Sequence, residues 1–159
     1  MIRPILNKRP PKIPFTKTGY DKIVTEYESY KNNRPDAVVN LKLAREMGDL
    51  SENGYYKAAR ARLSSIDANL RRLERIIKNA KIVEHFNTGR VEIGSTVTLD
   101  DGKKTVTYQI VGGYESDPAS GTISHVSPIG KALLGKENGA TVSVVTPRGT
   151  THYRVTSIS

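Results

Sequence analysis

Hydrophobic positions follow two different periods along the chain, and the change falls near residue 86. Tyr20, Ile23, Tyr27, Tyr30, Arg34, Ala37, Leu41 and Ala44 recur at alternating spacings of three and four, and only Arg34 interrupts the apolar run. Tyr56, Ala59, Leu63, Ile66, Leu70, Leu73, Ile77 and Ala80 repeat the spacing without a break. Such a pattern keeps one narrow stripe on one face of a helix, and over several heptads it predicts a coiled coil. The short connection between the two runs makes them antiparallel. A helix of about 30 residues spans roughly 45 Å, so the pair is a rod. Thr16 or Thr18 suits the start of the first helix, and Gly48 suits its end. Pro35 removes a helical hydrogen bond, which predicts a kink or a break there.

Beyond a linker at residues 86–89 the period is two. Residues 95–99, 105–111, 121–126, 141–146 and 151–158 read as strands rich in Val, Ile, Thr and Tyr. Asp100-Asp101-Gly102 and Pro147-Arg148-Gly149 are turn signals between them. One short helix interrupts the strands, with Ser127 as its cap, Pro128 in its first position and Gly135 at its exit. The fold class is therefore α+β: an N-terminal antiparallel α-helical coiled-coil hairpin, then a small, mostly antiparallel β domain with one short helix. The expected division is a basic, proline-rich tail at 1–14, the hairpin at 15–85 with an acidic tip at 48–53, and the C-terminal domain at 90–159.

Charge sharpens this picture. The net charge is +9, and residues 83–159 carry seven bases and seven acids, so all of the excess lies in the first half. Residues 1–16 hold four bases and no acid, and residues 17–82 hold fourteen bases against nine acids. A basic first half suits an approach to nucleic acid or to an acidic channel, although a solvated basic surface has the same composition. Cysteine is absent, which excludes disulfides and thiolate metal sites. No apolar run approaches a membrane span, and the N-terminal residues lack the apolar core of a signal peptide. The expected location is cytoplasmic, with no membrane partner.

Asp49 and Glu52 stand three residues apart at the apex of the hairpin, with Asn53 beside them. Two carboxylates at the tip of a rod suit a hard divalent cation. The same spacing also fits a capping box, Asp49 as N-cap and Glu52 as the third helical residue, and the two roles are compatible. Lys57 and Arg60 lie one to two turns beyond the tip and suit phosphates, or equally a solvated surface. His85, His125 and His152 show no metal-ligand spacing. A Gly-rich phosphate loop and a nucleophile elbow are both absent, so no complete active site is visible.

The tip stretch Ala44-Arg45-Glu46-Met47-Gly48-Asp49-Leu50-Ser51-Glu52-Asn53, followed by Tyr56, Ala58, Ala59 and Arg60, resembles the tip motif of the Gre family of bacterial transcript cleavage factors. Residues 123–136, with Ser127-Pro128-Ile129-Gly130-Lys131 at their centre, resemble that family's C-terminal signature. The resemblance covers roughly residues 15–159 and departs at Gly54, usually alanine, and at Tyr55, usually another acid. It implies an FKBP-like C-terminal domain. An FKBP-like sheet invites a prolyl isomerase reading, but Tyr108, Tyr114 and Tyr153 are too few aromatics for that pocket. The resemblance further implies a hairpin that enters the secondary channel of bacterial RNA polymerase, where Asp49 and Glu52 help hold a second Mg²⁺ shared with the polymerase. Arg45, Asn53, Lys57 and Arg60 would hold the 3′ end of backtracked RNA, and Ser127, Pro128 and Ile129 would dock on the polymerase. The factor, expected to be a monomer, would be a cofactor of polymerase cleavage rather than an enzyme. The alternatives are a Gre-related channel binder that does not stimulate cleavage and a basic RNA-binding or structural coiled coil without a polymerase partner.

Overall fold

The computed structural model describes residues 11–47, 54–146 and 149–159. The tip expected at 48–53, with Asp49, Glu52 and Asn53, lies outside the described residues, as do the first ten residues and Pro147-Arg148. The chain divides into two compact units, Asp21–Lys78 and the residues up to Tyr20 together with Asn79–Ser159.

The first unit is built from two long helices, α1 (Lys17–Glu46) and α2 (Gly54–Asn79). Arg34 Nε meets Asp67 Oδ1 at 2.7 Å, and Arg72 meets Glu26 at 3.1 Å. Each step toward the start of α1 is thus a step toward the end of α2, which makes the pair antiparallel. The buried positions are those of the heptad stripe: Ile23, Ala37 and Ala44 on α1, and Ala59, Ile66 and Leu73 on α2. Alanines at the distal end let two backbones approach closely. Arg34, the polar exception in the stripe, stays half-exposed and donates to Asp67, which holds the guanidinium pKa above its ordinary value. Two expectations need correction. Of the kink or break expected at Pro35, the break does not occur, and α1 runs on through it with Pro35 and Lys31 both exposed. At the far end of α2, Ile76 is the buried residue and Ile77 is only half-buried, so the stripe shifts by one position in the last turns.

The second unit carries a five-stranded sheet in the order β5-β4-β3-β7-β6, from β3 (Thr96–Asp100), β4 (Thr105–Val111), β5 (Thr122–Ser124), β6 (Thr141–Thr146) and β7 (Gly149–Ile158). All pairings are antiparallel except β4 with β5. Period-two patterning turns Val97, Leu99, Ile110, Val142, Val144 and Val155 to one face, where Leu133 of α3 (Pro128–Leu133) and Val91 complete the core. A bulge opposite Thr98 and Leu99 is stitched by Thr156 Oγ1, which donates to the Thr98 carbonyl at 3.1 Å. The expected turn at Asp100-Asp101-Gly102 forms. Gly102 has φ +81°, and the Asp101 carboxyl, accepting from the Lys104 and Lys103 amides, titrates below its ordinary value. β5 is shorter than the pattern suggested, because the chain leaves the sheet at His125 to enter α3.

A second, two-stranded sheet was not anticipated. β1 (Ile13–Phe15) pairs in parallel with β2 (Ala80–Ile82). Ile13 and Pro14, placed in the tail by composition, are therefore strand, and Ala80, placed on the helical stripe, begins one. Phe15 is fully buried, stacked on Tyr114 at 6.2 Å and edge-on to Tyr20 at 6.4 Å. Glu115 secures the same corner. Its carboxylate accepts from the Thr16 amide at 2.9 Å, from the Thr16 hydroxyl and from the Gly112 amide at 3.0 Å. Thr16 Oγ1 in turn accepts from the Gly19 amide, capping α1. A Cβ on Gly19 would stand 1.8 Å from the Glu115 carboxylate, and one on Gly112 would stand 2.2 Å from the Pro14 carbonyl oxygen. At Gly112 the neighbour is backbone and leaves no room for a Cβ, whereas at Gly19 a Cβ would displace the Glu115 carboxylate from Thr16.

Candidate functional site

The described residues bring the two sides of the expected tip to the distal ends of α1 and α2. Arg45 occupies the last turn of α1 and is exposed. Lys57 and Arg60 stand three residues apart on the first turns of α2, on one exposed face. Exposure leaves all three charges solvated and able to meet a phosphate. Gly54 opens α2, and nothing stands within 4 Å of where its Cβ would be, so the fold itself does not demand glycine there. Tyr55 is exposed.

The three docking candidates at 127–129 differ in what is left for a partner. Ser127 Oγ accepts from the Gly130 amide at 3.1 Å and donates to the Ser124 carbonyl at 2.7 Å, so its hydroxyl is committed to capping α3. Ile129 is half-buried and packs against the sheet core. Pro128 is exposed at the first helical position, beside exposed Val126. Gly130 is required locally, since a Cβ there would stand 2.1 Å from the Ser124 carbonyl oxygen. Ser127 and Gly130 are thus explained by one tight strand-to-helix turn, and Pro128 is the candidate that faces outward.

Among the described residues, no group of three His, Asp or Glu side chains could hold a metal ion. The histidines are engaged as packing or surface residues. His85 meets buried Ser95 at 3.0 Å, His125 meets the Val111 carbonyl oxygen at 3.2 Å, and His152 meets Ser143 at 2.8 Å. No helix among the described residues is long and apolar enough to cross a membrane. The side chain that pattern reading missed is Glu115. Its signal was faint: one acid in a Gly112-Gly113-Tyr114-Glu115 loop, with partners about a hundred residues earlier.

Residues 13–82 match the family model for the N-terminal part of a transcription elongation factor, and residues 86–159 match the model for the C-terminal part of GreA/GreB. The chain belongs to the GreA/GreB family. Transcription elongation factor GreA of Paracoccus denitrificans is 39% identical over 151 residues, covering 92% of this chain and 97% of that protein. GreA of Macrococcus caseolyticus is 41% identical over 140 residues, covering 86% and 89%. Among solved structures, GreA factor homolog 1 of Thermus thermophilus matches with 30% identity and a TM-score of 0.45, covering 93% of this chain and 99% of that one. As a GreA/GreB-family chain, the protein is a transcription elongation factor with an N-terminal helical hairpin followed by a β unit.

Proposed function

We propose that this elongation factor inserts its hairpin into the secondary channel of bacterial RNA polymerase and stimulates cleavage of the 3′ end of backtracked RNA. The observation that carries the reading is the Asp49/Glu52 pair, in a family-typical motif, on the segment that joins two antiparallel helices. Two carboxylates are hard oxygen donors that fit Mg²⁺, but they are too few to hold it tightly, since Mg²⁺ keeps several waters and borrows ligands from a partner or a phosphate. The pair therefore fits an ion shared with the polymerase and not one resident on the free factor. Bound there, Mg²⁺ would stabilise negative charge on the attacking and leaving oxygens of the RNA phosphodiester.

The chain's own residues have simpler tasks. Asp49 and Glu52 present ligands, while Arg45, Asn53, Lys57 and Arg60 hold the RNA 3′ end by charge and hydrogen bonding. Pro128, with Ser127 and Ile129 shaping its turn, marks the docking surface for the polymerase. The bond is broken in the polymerase active site, so the factor is a cofactor, acting as a cytoplasmic monomer. A second reading, a channel binder that modulates polymerase without cleavage, rests on Tyr55 standing where the family usually has an acid. Adding the protein and Mg²⁺ to a stalled, backtracked elongation complex with 3′-labelled RNA separates the two. Release of a short labelled fragment and resumed elongation is the expected result. Binding without release would establish the second reading.

A further inference from the structure

The distal half of α1 carries a second stripe that the coiled coil does not use. Val39 and Leu43 are four residues apart on α1, hence stacked on one face, and Met47 stands in the turn directly after its last residue; the three are 54%, 47% and 71% exposed. A helix in water normally turns charged or polar residues to this side. Charge around the stripe is segregated. With roughly 100° per residue, the residues within about 60° of Leu43 include Asp36 and Glu46 and no base. Lys31, Arg34, Lys42 and Arg45 all lie about 100° or more away. The far half of α1 thus has three faces: the buried seam, a basic face, and an apolar face flanked by acids. Phosphates are repelled by the third face and attracted by the second.

We infer that Val39, Leu43 and Met47, flanked by Asp36 and Glu46, form a gripping surface for an apolar, base-rimmed protein surface of RNA polymerase, separate from the face that meets RNA. This rests on the proposed insertion of the hairpin and specifies which side of α1 the polymerase protein covers. Met at the end nearest the tip suits a surface that must adapt as the rod slides in, because its thioether chain is flexible and polarisable.

The test uses the full-length chain, purified RNA polymerase in a stalled backtracked complex, and two variants. In the first, Val39→Gln, Leu43→Gln and Met47→Gln are combined; glutamine is a good helix former, and the positions are exposed, so circular dichroism should not change. Its Kd for the complex should rise about tenfold or more. In the second, Asp36→Lys and Glu46→Lys are combined. A base-rimmed protein surface predicts weaker binding to the complex, whereas a phosphate partner predicts tighter binding. Unchanged affinity in the first variant, or tighter binding in the second, overturns the inference. So does a wild-type chain that self-associates in sedimentation and becomes monomeric in the first variant, since the occupant would then be a second copy. If the wild-type chain binds no polymerase at all, the insertion reading falls and takes this surface with it; if it binds and only the variants match it, the surface alone is wrong.

Discussion

α1 is held in opposite ways at its start and along its length. At its start, Thr16 is fixed by Glu115, a residue about a hundred positions away in the sequence, and Thr16 Oγ1 in turn accepts from the Gly19 amide. Along its length, α1 is held by a heptad stripe that any local window displays. Thr16, like Ser127 of α3, sits directly before the helix it caps, but Thr16 is itself held by a carboxylate from a distant loop. Local caps and repeats are visible in sequence, and a cap completed by a remote carboxylate is not. Glu115 also shows how tightly such a joint is built, since two glycines, Gly19 and Gly112, leave it space that no Cβ could share.

Four changes probe that contrast, beginning with the seam. Leu73 is fully buried on α2, so Leu73→Asp places a charge where no partner waits, at a cost of about 3–5 kcal/mol. Helical signal should fall in circular dichroism while β-unit resonances persist in NMR spectra. Loss of both together would mean that the two units do not fold separately.

Glu115→Ala comes next. It leaves the Thr16 and Gly112 amides without their acceptor, and should cost about 1–3 kcal/mol by denaturant unfolding. Hydrogen exchange should accelerate at Thr16, Gly19 and Gly112 and not along the middle of α2. Protection lost evenly over both helices would refute a local joint.

Ser127→Ala should cost about 1 kcal/mol, because it removes the cap of α3, and Ser127→Asn should recover most of the loss. If polymerase binding falls in both variants while stability returns in the second, Ser127 contributes to docking directly as well as through the turn. The smallest effect belongs to Arg34 and Asp67, an exposed pair across the two helices. A double-mutant cycle with alanine should give a coupling of about 0.2–1 kcal/mol, weakening as salt is added. A coupling well above that range would make Arg34 a determinant of register.

Much of the fold is legible in the sequence, for physical reasons. Long 3-4 spacing in α1 and α2, alternation in β3, β4 and β6, and the Ser127-Pro128 start of α3 each depend on neighbours within a few residues. What could not be read depended on distant partners. Ile13–Phe15 looks like the end of a proline-rich tail until Ala80–Ile82 is beside it. Ile76 replaces Ile77 as the buried residue in the last turns of α2, where the repeat alone gave no reason for the shift. Pro35 predicts a kink or a break from its local effect on the backbone, yet α1 continues through it, with Ala37 buried and Arg34 paired to Asp67 nearby. At the candidate site, the tip residues and Arg45, Lys57 and Arg60 are visible as residues, and the exposure of those three bases comes from the structure. The exposed Val39-Leu43-Met47 stripe is not visible in the sequence, because exposure is a property of packing.

The central claim is that Asp49 and Glu52 hold Mg²⁺ jointly with the polymerase and do not merely cap α2. Asp49→Asn tests it directly, since asparagine caps a helix as well as aspartate does but removes a charged oxygen ligand. The measurement is the rate of RNA cleavage in a stalled backtracked complex, with factor in excess, across a Mg²⁺ titration. The account predicts a rate about 10²–10³ lower at low Mg²⁺, unchanged thermal unfolding of the free factor, and partial recovery as Mg²⁺ rises. Full-rate cleavage by Asp49→Asn at low Mg²⁺ would contradict it and leave Asp49 as a cap alone.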